Sequence, residues 1–166
     1  AIRLQVRVES SLRIAEWIDA GEVDLAVMPV EQQEVRPDDF PLWKDELRFV
    51  QASDAAFSTD EPLPLVTFGS QCFYGRVAGS LLDAAGIAYE EVLQSASIAG
   101  VRAAVSAGFG VALMNRGFMT SDQCLWPGAT AVATPPDIHY VLRAADAQLT
   151  DAEQTLVGEL RGSVPP

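Results

Sequence analysis

Short apolar runs that alternate with helix-period segments leave this 166-residue chain few architectures. LPLVTF (63–68) is apolar on both faces, which predicts a strand covered on two sides. After it Tyr74, Val77, Ala78, Leu81, Leu82 and Ala85 recur at helical spacing, and Gly86 stops that helix. IAYEEVLQ (87–94) is the next strand. Ser97 then caps a helix with Ile98, Val101, Ala104 and Val105 inward, Gly108 ends it, and GVALMN (110–115) is a further buried strand. Strand–helix–strand units of this kind, roughly 30 residues each, set their strands parallel in one sheet.

A similar pattern opens the chain. In IRLQVRVE (2–9), Ile2, Leu4, Val6 and Val8 alternate with Arg3, Gln5, Arg7 and Glu9, which predicts a strand. Ser10 and Ser11 are ready caps for a helix running to about Ala20, with Leu12, Ile14, Ala15, Trp17 and Ile18 on its apolar side and Gly21 as its stop. DLAVMPV (24–30) follows as an apolar strand, so this stretch too predicts a parallel pair. EQQEVRPDD (31–39) reads as a loop, ELRFVQA (46–52) as a strand and SDAAFSTDEPLP (53–64) as surface loop. Near the end IHYVLRAA (138–145) is a strand, and Thr150 to Glu153 forms a capping box opening a helix with Leu156, Val157 and Leu160 inward. The expected fold class is α/β: two Rossmann-like lobes with a double crossover near 45–52 and 134–140. Lobe I takes residues 1–48 and 138–166, and lobe II takes 49–137.

Charge narrows the function. Eleven Lys and Arg against 23 Asp and Glu leave a net charge of −12, a surface that repels phosphate backbones. No apolar run approaches the ~20 residues of a membrane span, and the first ten residues are not a secretory signal. No membrane contact is expected. Cys72 and Cys124 form no CxxC pair and cannot build a zinc cluster with the single His139, so neither metal nor cofactor is expected. Reduced thiols and a cytoplasmic protein are the corresponding expectation.

The motifs carry little catalytic signal. GFGVAL (108–113) holds Gly-x-Gly but follows a helix and precedes a strand, the reverse of a dinucleotide-binding turn. There is no G-x-S-x-G elbow, and His139 falls in a predicted strand with no Ser or Cys tied to it. Cys72 opens a helix, where it is either a lowered-pKa thiol or a small space-filling side chain. More informative are the hydroxyls. Ser10, Ser11, Thr67, Ser70 and Ser97 all fall where a strand's carboxyl end meets the next helix, the edge at which open α/β sheets bind ligands. Simple N-capping explains the same placement.

SSLRIAEWIDAGEVDLAVM (10–28), LPLVTFGSQCFYGR (63–76), LLDAAGI (81–87) and SASIAGVRAAVSAGFGVALMN (95–115), taken in order, resemble the effector-binding domain of LysR-type transcriptional regulators. GEVDLAV resembles the strand after that family's second helix, and SAGFGVALM its aaGlGvallP segment, although Asn115 stands where the family commonly has Pro. The QCFYGR stretch (71–76) is similar to a subgroup with Cys and Arg at that helix start. The chain opens at what resembles the family's second strand, so lobe I is expected to lack its first strand and helix.

The resemblance implies a type II periplasmic-binding-protein-like fold without enzymatic activity. It implies a small-molecule effector in the inter-lobe cleft, contacted by Ser10, Ser11, Thr67, Phe68, Ser70 and Ser97. It also implies a homodimer or tetramer, and DNA contact only through an N-terminal helix-turn-helix absent from these residues. Strand 2–9, strand 87–94 and helix 73–85 are the expected self-association surface. Three helix starts facing one cleft would favour a small anionic effector such as a carboxylate, with Arg76 and Arg102 one turn further along adding positive potential. A stand-alone solute-binding protein of a transporter and an enzyme on the same scaffold are the alternatives.

Overall fold

The computed structural model describes residues 3–58, 60–69 and 72–162. The chain forms two units, one of residues 1–45 and 137–166, the other of residues 46–136.

In the first unit α1 (Ser11–Asp19) leads to β1 (Leu25–Glu31) and β2 (Phe40–Asp45). The chain returns late to this unit as β8 (Ile138–Ala144) and α4 (Asp151–Gly162). The sheet order is β1-β8-β2, and both ladders are antiparallel. Ile18 of α1 packs with Ala26, Met28, Val30 and Val141 as its core. Ser10 caps α1, its Oγ accepting the Arg13 amide at 3.4 Å. The expected capping box is present at α4: Glu153 accepts the Thr150 amide, and Thr150 Oγ1 accepts the Glu153 amide.

Two expectations for this unit are corrected. Residues 3–9 form no strand, and Val8 is 90% exposed; Ile2 lies outside the described residues. A strand exists only as part of a ladder, and the described ladders of β1 and β2 are with β8. The segment is held by side chains instead, with the Arg7 guanidinium 5.2 Å from the Trp17 ring centroid. Hence the parallel pair expected of 2–9 and 24–30 is replaced by antiparallel pairing. β2 was hidden by Pro41 and the charged Lys44 and Asp45, residues an edge strand tolerates.

The 31–39 segment, read as a plain loop, is anchored from within. Arg143 Nε donates to Asp39 Oδ1 at 2.6 Å, and Nη2 to Oδ2 at 2.7 Å. Nη2 also donates to the Glu34 carbonyl at 3.2 Å, and the Arg36 amide donates to Asp39 Oδ2 at 2.8 Å. Both side chains are buried. Burial alone would push the Asp39 carboxyl up, but its hydrogen bonds to Arg143 and to the Arg36 amide prevail, and it stays below the ordinary carboxylate range.

The second unit contains β3 (Leu47–Ala52), β4 (Leu63–Thr67), α2 (Phe73–Ala84), β5 (Tyr89–Gln94), α3 (Ile98–Ser106), β6 (Ala112–Asn115) and β7 (Gln123–Leu125). β4 and β5 are parallel, as expected, while β3 pairs antiparallel with β6 and with β7. A parallel bridge between Leu65 and Val111 joins the two sets, with Val66 N donating to Val111 O and Val111 N to Pro64 O, each at 2.8 Å. α3 buries Val101, Ala104 and Val105 against Val50, Val66, Ala112 and Met114. The Gly-x-Gly stretch is a turn between α3 and β6. Gly108 sits at φ +76°, and a Cβ on Gly110 would strike the Pro64 carbonyl oxygen.

Among the described residues no helix is long and apolar enough to cross a membrane, and no group of His, Cys, Asp and Glu could hold a metal ion.

Candidate functional site

The carboxyl ends of β4 and β5 bring together three of the six expected site residues, Thr67, Phe68 and Ser97. Thr67 closes β4 opposite Gln94, and its carbonyl accepts the Ser95 amide at 3.0 Å, which ties the α3 entry to the β4 end. Ser97 caps α3, its Oγ accepting the Gly100 amide at 3.1 Å. Phe68 leans on the α3-side core, its ring 4.9 Å from that of Tyr74 in the first turn of α2. Ser10 and Ser11 belong to the first unit, Ser10 as a cap and Ser11 as the first residue of α1. Ser70 lies outside the described residues.

Between the β4 end and α2 lies a shallow dimple lined by Thr67, Phe68, Tyr74, Gly75 and Ala78. Its hydroxyl protons are taken by protein acceptors. Thr67 Oγ1 donates to Glu91 Oε2 at 2.6 Å and accepts the Gly69 amide at 2.9 Å. Tyr74 Oη donates to Oδ1 of the fully buried Asn115 at 2.8 Å. Gly69, at φ +103°, turns the chain under Gln94, and a Cβ there would stand 2.6 Å from Gln94 Nε2.

Tyr74, Asn115 and Glu91 were not among the expected site residues. Tyr74 counted only towards an apolar helix face, and Glu91 as one charge on a solvated surface. Asn115 carried the available signal: a polar residue ending a buried apolar strand needs a partner. Arg102 lies one turn into α3. It adds to the hydroxyls of Thr120 and Ser106 in holding the Asp122 carboxyl below its ordinary range. Cys72 precedes α2 and caps it with no side-chain hydrogen bond, and His139 is half-buried in β8. Neither has a catalytic partner among the described contacts.

The family model described as the LysR substrate binding domain matches residues 1–164. The chain belongs to that family. As a LysR substrate-binding domain it has the two-lobed, periplasmic-binding-protein-like α/β fold expected from its motifs. It is similar to the regulatory domain of the HypT M206Q mutant from Salmonella typhimurium, with a TM-score of 0.75 and 17% identity over 95% of this chain and 82% of that one. The Synechocystis PCC6803 CcmR regulatory domain, solved in complex with 2-PG, gives 0.69 and 14% over 93% and 80%. Vibrio fischeri DarR, solved in complex with DNA, gives 0.72 and 16% over 96% and 57%. This LysR domain spans 56% of the full-length HypT chain, a hypochlorite-specific LysR-type regulator.

Proposed function

We propose that this chain senses a small effector on behalf of a LysR-type regulator and binds it at the carboxyl ends of β4 and β5. The gathering of Thr67, Phe68 and Ser97 at that edge carries the reading. Ser97 accepts from its own helix, and an accepting hydroxyl keeps its proton for a further acceptor. With the positive end of the α3 helix dipole, this favours an effector carboxylate. Binding shifts an equilibrium between conformations by its differential affinity for them, and no catalytic group is required.

In the parent regulator this implies a cytoplasmic homo-oligomer that touches DNA through a separate helix-turn-helix. The exposed 3–9 segment and the β5–α2 surface are its self-association faces. A thermal-shift screen of matched small acids and amides tests the effector reading. Acids are expected to raise the melting temperature, amides are not, and Ser97→Ala weakens the response. Equal stabilisation by amides, or an unchanged response in Ser97→Ala, removes the carboxylate from the proposal.

A further inference from the structure

We propose that Glu91 is a specificity-determining residue of this site, and that it selects an acid carrying a hydrogen-bond donor, an ammonium or hydroxyl group, beside its carboxylate. The inference rests on the effector reading above and adds the second functional group. Both hydroxyl protons at the β4–α2 dimple are committed to protein acceptors, Thr67 to Glu91 and Tyr74 to Asn115. Glu91 is exposed, and an ionised carboxylate only accepts. Thr67 itself is buried, so a ligand at this edge meets the exposed Glu91 carboxylate, and a bare acid there would face its charge. A donor meets the opposite situation, and an ammonium meets it with charge assistance.

The two chemistries stand on separate parts of one edge. Ser97 and the α3 start offer donors, whereas Glu91, held by the Thr67 hydroxyl, offers acceptors, and the Thr67 carbonyl to Ser95 amide bond couples the two. The matching ligand is negative at one end and donating at the other. A purely structural Glu91, tethering β5 to β4, would leave ligand preference unchanged.

The 166-residue chain, labelled with ¹⁵N, is titrated with propionate, 3-hydroxypropionate and 3-aminopropionate while the Gly69 and Ser97 amides are followed. Gly69 donates to Thr67 Oγ1, so its resonance reports directly on that hydroxyl. The expected order is 3-aminopropionate, then 3-hydroxypropionate, then propionate, with about tenfold or more between the first and last. Glu91→Gln keeps an acceptor for Thr67 and removes the charge, so the ammonium advantage should shrink by about tenfold while the hydroxyl advantage persists. Propionate binding as tightly as 3-aminopropionate, or an undiminished ammonium advantage in Glu91→Gln, overturns the role of Glu91 and leaves the effector reading standing. No movement of either amide with any of the three acids overturns both.

Discussion

The buried pair of Arg143 and Asp39 is where single residues matter most to the first unit. A charge left alone in the interior costs more than the intact pair contributes, so Asp39→Ala should destabilise the chain by about 3–5 kcal/mol in urea unfolding. Replacing both partners with apolar residues of similar size, as in Asp39→Leu with Arg143→Met, should recover most of that loss. The pH dependence has a definite sign. The Asp39 carboxyl is lower in the folded chain than its unfolded value of about 3.9. Its contribution is complete above that value and disappears as pH falls through the folded one. Urea midpoints measured from pH 5 down to pH 3 should fall more steeply for the natural chain than for Asp39→Asn.

At the scale of elements, capping and close approach decide what holds. Ser97 accepts the Gly100 amide at the start of α3, and its removal in Ser97→Ala should cost about 1 kcal/mol of stability apart from any effect on ligand response. Gly110 lets the strand entry run against Pro64, whose carbonyl accepts the Val111 amide at 2.8 Å. Gly110→Ala forces β4 and β6 apart and should lower stability by about 1–3 kcal/mol, read as a drop in melting temperature. Phe109→Ala is the control beside it: that side chain is 57% exposed and should change the melting temperature little.

For the whole molecule, charge sets the relation to nucleic acid. With a net charge of −12, this LysR domain should show no sequence-specific shift of duplex DNA in a mobility assay at physiological salt. Tight, sequence-dependent binding by these residues would contradict the assignment of DNA contact to another part of the regulator. The division into two units accords with how the chain runs. β2 and β3 are separated by Glu46 alone, and Pro135 and Pro136 lie just before the second division.

Within residues 63–115 the apolar periods, the serine cap and the glycine stops determined the elements before any tertiary contact was known. Those signals are local, and each acts on groups within about a turn of itself. The resemblance in motif order was enough to place the chain in its family. Tertiary structure decided the rest. Residues 3–9 have a strand's alternation but no ladder among the described residues, because pairing is a property of two segments. Arg143 and Asp39 meet across 104 positions of sequence, so neither charge announces its partner. Of the site, Thr67, Phe68 and Ser97 were legible as strand-to-helix junctions. The direction of the Thr67 proton was not, since it depends on Glu91 arriving 24 residues later on a neighbouring strand. Sequence determined which hydroxyls reach the edge, and folding determined whether each one offers a proton or a lone pair.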